Sequence, residues 1–453
     1  MKAIFEKRDL TTGNEGKAMV LFALPFIMGN LFQQLYNIVD TIVVGQYIGA
    51  DALAAVGASF SFMNFLTSVM IGLCMGTSVL FSQLFGAKDI TALKKSIFAS
   101  FVFIAGFTMI LNIAALTQLD AILKFLNTPD KIFIQTKNYL LPILWGMMFT
   151  FLYNYFASVL RSIGNSFMPF VFLAAACLVN IILDVAFVVK FKMGVEGAAY
   201  ATVTAQAAAG ILTAGYCFVK VPYLRYKKEE LRMEKKLLLK IVNYSMLTSL
   251  QQSVMNFGIL MIQGLVNSFG VTVMAAFAAV VKIDAFAYMP SQEFGNSFSI
   301  YIAQNAGAGK KERIRQGTKK AFAGITVFGL VSSAIVIFFS NPLLHIFIKA
   351  SETEMIACGQ QYLWIEGSFY FLIGYLFLFY GYFRGIGQMK MSVVLTCISL
   401  GLRVALAYAF AGRFGVTMIW WAIPIGWLAA DIAGAAGVIH KSRKIMPNED
   451  ISW

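Results

Sequence analysis

Residues 97–116 read IFASFVFIAGFTMILNIAAL, twenty residues without a charge, entered through Lys94 and Lys95 and left just before Asp120. A helix of that length rises about 30 Å, the thickness of a bilayer's hydrocarbon core. Lipid offers no water to backbone N–H and C=O groups, so a spanning segment must satisfy them internally, as a helix does. The same pattern recurs along the chain. We place twelve spans near residues 18–44, 52–82, 92–116, 136–158, 167–190, 196–220, 240–266, 272–304, 318–340, 359–382, 391–411 and 416–440. Composition agrees, since 59% of the 453 residues are hydrophobic and 13% charged, with a mean hydropathy of +0.74. A water-soluble domain, with about 25% charged residues, has no way to bury so much apolar surface.

The net charge of +14 does not point to nucleic acid, because the basic residues sit in short runs between apolar segments. Segments that face the cytoplasm when the N-terminus is inside carry 27 Lys and Arg, against 7 in the opposite loops. That bias orients a membrane protein, and it predicts both termini in the cytoplasm. The five cysteines, Cys74, Cys177, Cys217, Cys358 and Cys397, form no CxxC pair, and His345 and His440 share no ligand spacing. Neither a disulfide nor a metal is expected. No signal peptide is expected either, because the first apolar segment is too long and lacks a small-residue cleavage site.

The chain also resembles itself. Ser82-Gln83-Leu84-Phe85-Gly86-Ala87-Lys88 returns loosely as Ala303-Gln304-Asn305-Ala306-Gly307-Ala308-Gly309, 221 residues later. Leu160-Arg161-Ser162-Ile163-Gly164-Asn165 returns as Phe383-Arg384-Gly385-Ile386-Gly387-Gln388 at an offset of 223, and Gly194-Val195 meets Gly415-Val416. Three matches in one order imply two related halves of six spans. An even number of spans per half gives both the same orientation, as in transporters that bind substrate between parallel repeats. The domains expected are an N-lobe over 1–220, a basic cytoplasmic linker over 221–240 and a C-lobe over 241–453.

Ionisable groups inside a bilayer are costly, so each is a functional suspect. The first half has two, Asp40 in span 1 and Asp184 in span 5. Counting about 1.5 Å per residue from the outer boundary puts Asp40, Asp184 and Thr202 of span 6 at one depth, roughly 8–9 Å down. Asn180 shares a helix face with Asp184, and Ala198 with Thr202, each pair being four residues apart. Such a cluster can hold a proton shared by two carboxylates or a small hard cation among oxygen ligands. Its bland alternative is a polar network that glues helices together. The second half carries Lys282, Asp284 and Glu293 in span 8, Glu366 in span 10, Arg403 in span 11 and Asp431 in span 12. Asp284 and Arg403 reach similar depth and are expected to pair. Lys282, Asp284, Glu366 and Arg403 are candidates for substrate contact or for structure. The net acidic interior favours cationic amphiphiles.

With Leu24-Pro25, Gln33-Gln34-Leu35-Tyr36-Asn37-Ile38-Val39-Asp40, the Gly86-Ala87-Lys88 and Arg161-Ser162-Ile163-Gly164 turns, and Asn180 to Asp184, the sequence resembles the multidrug and toxic compound extrusion (MATE) family over essentially its entire length. The resemblance implies an all-α integral membrane protein of twelve transmembrane helices in two pseudo-symmetric six-helix lobes, V-shaped around a central cavity. It implies export of drugs against an inward flow of protons or sodium. Carried over, the coupling network of members with an acidic first helix falls on Asp40, Asn180, Asp184 and Thr202, with Tyr139 and Ala198 beside them, and Pro25 matches the proline at which that helix bends. The sodium-coupled branch uses a second-lobe acid in helix 7, where this chain has Gln251, Gln252, Asn256 and Gln263. H+ is therefore the expected coupling ion and Na+ at the first-lobe cluster the alternative, with no other cofactor. The expected partners are cationic or amphiphilic small molecules and the lipid bilayer, for a monomer in the plasma membrane. A lipid-linked sugar flippase of the same superfamily is the rival reading. An enzyme is not, since no catalytic constellation is present.

Overall fold

A computed structural model of the chain describes residues 8–126, 128–224, 231 and 234–445. The described residues form fifteen α-helices and no strand. They are α1 (Glu15–Tyr47), α2 (Ala50–Gly86), α3 (Ile90–Thr117), α4 (Leu119–Phe125), α5 (Asp130–Ser162), α6 (Phe167–Asp184), α7 (Gly194–Lys220), α8 (Lys235–Asn267), α9 (Val271–Gly307), α10 (Lys311–Phe338), α11 (Ser340–His345), α12 (Thr353–Gly367), α13 (Tyr370–Gly385), α14 (Met389–Phe414) and α15 (Val416–Ile445). Every expected span coincides with a helix, the tenth with the consecutive pair α12 and α13. Ten helices are long and apolar enough to cross a membrane by themselves, and α12 with α13, bent by 51° at a short break, makes an eleventh. Helix α8 has the length, 33 residues, but Asn243, Gln251, Gln252, Asn256 and Gln263 dilute its hydropathy. Large side chains point outward, with Phe338 82% and Trp145 73% exposed, as a lipid-facing surface requires and a water-facing one does not tolerate. Of the expected linker, residues 225–230, 232 and 233 lie outside the described residues, as do 1–7 and 446–453.

The repeat is legible in helix boundaries. Ala50–Gly86 and Val271–Gly307 begin and end 221 residues apart, as do Ile90–Thr117 and Lys311–Phe338. The short α4 and α11, which hydropathy alone did not reveal, begin at the same offset, at Leu119 and Ser340. The turns repeat too. Gly49 and Gly270, Lys88 and Gly309, Gly164 and Gly387, and Gly194 and Gly415 all take positive φ, at 119° and 95°, 59° and 68°, 87° and 80°, and 64° and 71°. A left-handed residue ends a helix by turning the chain out of its path, and glycine does so without the Cβ clash. Lys88 bears that clash where its counterpart is Gly309. Asp89 then caps α3, its carboxylate accepting from the Ala92 N–H at 2.9 Å, which satisfies one of the helix's free donors.

Two compact units emerge, the first made chiefly of Val20–Ser249 and the second of Leu250–Ala306 and the chain from Lys310 onward. Gly13–Met19 belongs with the second unit and Gly307–Gly309 with the first. In the first, α5 is central and packs on α2, α3 and α7, with α6 beside α7. Phe81, Phe101, Phe151, Tyr155 and Phe156 form an aromatic core there, and the Tyr155 hydroxyl lies 2.9 Å from that of Ser100. In the second, α13 packs against α10, α14 and α15, and α14 runs along α15. Glu15, at the start of α1, is buried and accepts from Lys320 at 2.6 Å and Arg313 at 3.1 Å within this unit. Asp51 pairs with Lys131 and the exposed Asp120 with Lys137, each at 2.7 Å.

Candidate ion and substrate sites

In the first unit, α1 contributes Asp40, α5 contributes Tyr139, α6 contributes Asn180 and Asp184, and α7 contributes Ala198 and Thr202. All but the half-buried Thr202 are buried, Asp184 and Ala198 completely. The one-turn spacing of Asn180 and Asp184 brings their side chains together. With its nitrogen turned to the acid, Asn180 donates to Asp184 Oδ2 at 3.1 Å, and its oxygen accepts from the Thr202 N–H at 3.2 Å. The opposite orientation sets the amide oxygen against a carboxylate oxygen. Ala198 packs with Tyr139, Val43 and Val44, closing the cluster on its apolar side.

Asp40 Oδ1 and Asp184 Oδ1 are buried without a hydrogen-bond partner. Asp184 feels the charge of Asp40, Tyr139 feels both, and no cation among the described residues acts on either carboxylate. Burying such a charge unpaired costs several kcal/mol, so groups of this kind hold a proton or a bound ion. A cavity of about 10 Å³, roughly one water, adjoins them, lined by Tyr36, Cys177, Asn180, Thr202, Ala205 and Gln206 among others. Gln206 Oε1 is also buried and unpartnered. Tyr36 and Gln206 were not among the expected site residues. Their signal was helical spacing, Tyr36 one turn before Asp40 and Gln206 one turn after Thr202. Directly after Asp184 the helix widens into a π-helical turn over Val185–Lys190, a local unwinding often found at functional sites. Pro25 is buried inside α1, which runs through it without interruption.

In the second unit the expected Asp284–Arg403 pair is not formed. Asp284 is taken up by tyrosines instead, Tyr362 donating to Oδ2 at 2.6 Å and Tyr370 to Oδ1. Hydroxyls on the bent α12–α13 pair reach the acid directly, while Arg403 acts on Asp284 and Glu366 only through space. Glu366 is buried one turn after Tyr362, its Oε2 without a partner. Phe277, Tyr362 and Trp420 stack around this cluster, with Phe277 and Trp420 nearly parallel at 5.6 Å. Lys282 is two residues from Asp284 and so on another face. It is exposed, its Nζ 5.6 Å from the Phe347 ring centre, apart from the cluster. Glu293 accepts from Asn296, which accepts from the buried Arg384. No group of three His, Cys, Asp or Glu side chains suited to a metal occurs among the described residues.

The model of the MatE family matches residues 25–186 and 245–409, one stretch in each half. The chain belongs to the MatE family. The two stretches take in Pro25, Asp40, Tyr139, Asn180 and Asp184 in one half and Asp284, Glu366 and Arg403 in the other. A Bacillus subtilis relative named "Probable multidrug resistance protein YpnP" is 31% identical over 410 residues, 90% of each chain. A Thermotoga maritima relative, "Probable multidrug resistance protein NorM", is 27% identical over 441 residues, 94% of this chain and 90% of its own. Among solved structures, a MOP superfamily transporter from Pyrococcus furiosus superposes with a TM-score of 0.90 at 23% identity, over 98% of each chain. That likeness shows the fold, which is all-helical. In this MatE member each half buries a pair of acids, one of which feels the other's charge, Asp184 with Asp40 and Glu366 with Asp284.

Proposed function

We propose that the protein exports cationic amphiphilic small molecules across the plasma membrane in exchange for protons, by alternating access. The observation that carries the reading is the pair Asp40 and Asp184, buried on separate helices, each with an unpartnered oxygen and with no cation acting on either among the described residues. Relatives named as multidrug resistance proteins support an exporter of small molecules over an enzyme. A site of two acids that must be neutralised offers a proton a place to ride, and its release leaves negative charge that a cationic substrate can compensate. Asn180 and Thr202 hold Asp184 in place. A flippase for anionic lipid-linked sugars fits a net acidic interior poorly. Sodium is the competing ion, since the same oxygens suit a hard cation.

In proteoliposomes, export of a fluorescent cation is expected to run on an imposed pH gradient with no sodium present. A sodium gradient at equal pH is expected to drive none. Export driven only by sodium transfers the site to that ion, and export driven by neither removes the exchange mechanism. We further propose cytoplasmic termini. In a background free of native cysteines, Lys236→Cys is expected to react with a membrane-impermeant maleimide in inside-out vesicles and to stay unlabelled in intact cells. Labelling in intact cells reverses the orientation.

A further inference from the structure

The repeat aligns the two polar clusters residue by residue. From the turns at Arg161 and Arg384 the offset is 223. Helices α6 and α14 then run unbroken through 167–184 and 389–414, so no residue can slip and Asn180 falls on Arg403. The two extra residues of the first half are accommodated after Asp184, where the π-helical turn over Val185–Lys190 precedes Gly194, the counterpart of Gly415. The same offset sets Asn138-Tyr139-Leu140 on Gln361-Tyr362-Leu363, so Tyr139 falls on Tyr362.

Each half thus surrounds an equivalent tyrosine with two buried carboxylates, Asp40 and Asp184 in the first and Asp284 and Glu366 in the second. The carboxylates arrive on different helices, α1 and α6 against α9 and α12. The third member decides the difference. Where the first half has a neutral amide bonded to Asp184, the second has a guanidinium whose charge acts on both of its acids. A guanidinium keeps its proton inside proteins and cannot leave. Arg403 makes no close ion pair with either acid, and its Nε and Glu366 Oε2 are both buried without partners. Acceptor capacity for a small cation therefore remains at Glu366.

We propose that Arg403 is a tethered cation standing in the second half's counterpart of the first-half ion site, which leaves ion exchange to the first half alone. Removing it uncovers a latent site for a small monovalent cation at Asp284, Glu366 and the Tyr362 hydroxyl. The inference rests on the first-half coupling proposed above, and its test reads binding and not transport, so the two fail separately.

The test uses the full chain, purified in detergent and carrying Asp40→Asn to silence the first site, with thermal unfolding compared in Na⁺ and in N-methylglucamine buffer. Asp40→Asn alone is expected to show no Na⁺-dependent shift. Adding Arg403→Gln, or Arg403→Asn to install the residue of the first half, is expected to give a Na⁺-dependent rise of about 4 °C, the effect of ligand well above its Kd. Adding Glu366→Gln is expected to abolish the rise, and Arg403→Lys, which keeps a tethered charge, to produce none. Recovery of folded Arg403→Gln or Arg403→Asn protein in Na⁺ but not in N-methylglucamine supports the proposal equally. Variants that fold without any Na⁺ response, or that fail to fold in both buffers, overturn it. So does a response to Arg403→Lys as large as that to Arg403→Gln, which reduces Arg403 to a structural counter-ion.

Discussion

Asp40→Asn is expected to reduce gradient-driven export to the level of empty vesicles while leaving the protein folded. Asparagine has the size of aspartate and keeps one carbonyl oxygen, so packing on α1 barely changes. Asp40 Oδ1 makes no hydrogen bond and Asp40 no ion pair among the described residues, so no native contact is broken there. The unfolding temperature is therefore expected within about 2 °C of wild type, the scale of a change below ~1 kcal/mol. In the proposed exchange, what disappears is the charge that a proton neutralises on each cycle. With an amide at position 40, protonation no longer distinguishes two states of helix α1, and a ligand that cannot distinguish two states cannot drive one into the other. Export and proton flux should vanish together for two chemically unrelated cations. A variant that unfolds instead returns the cluster to a helix-packing role, and one that exports normally removes Asp40 from the exchange.

Gly76→Leu is expected to have the largest effect on stability. Gly72 and Gly76 share a face of α2, and α8 lies directly against them. A Cβ on Gly76 would stand 2.3 Å from the Tyr244 carbonyl oxygen, and one on Gly72 would stand 2.5 Å from Ser249 Cα. Both neighbours are backbone, which cannot rotate away as a side chain can. Small residues at such a crossing let two helices approach closely enough for dispersion and weak polar contacts to hold them in lipid. Forcing them apart also disturbs Ser245, fully buried in the contact. We expect a loss of about 3 kcal/mol or more, seen as a fall in unfolding temperature and in the monodisperse fraction on size exclusion. Gly57→Leu, at a position with nothing within 4 Å of a new Cβ, should leave both near wild type. Equal behaviour of the two variants contradicts the packing argument.

Hydropathy and charge determined from the sequence alone that the chain is helical, where its spans lie, that it repeats, and which acids lie within the spans. These properties are local sums along the chain. Twenty apolar residues partition into lipid whatever their neighbours, and a left-handed glycine ends a helix wherever it occurs. The depth estimate set Asp40, Asp184 and Thr202 level, and in the structure Asn180 bonds both Asp184 and the Thr202 N–H. The tertiary structure alone decided which donor meets which acceptor. Nothing in the sequence distinguishes Tyr370, which with Tyr362 takes up Asp284, from a lipid-facing tyrosine, because that depends on how α12 and α13 are rotated and bent. The rotation follows from packing summed over many side chains, and a 51° break swings Tyr370 to a point that a straight helix would not reach. Arg403 was visible as a cation within a span, and pairing it with Asp284 was the natural expectation. Its position opposite Asn180 became readable only when unbroken helices fixed the register between the halves, since sequence similarity there is too weak to carry it.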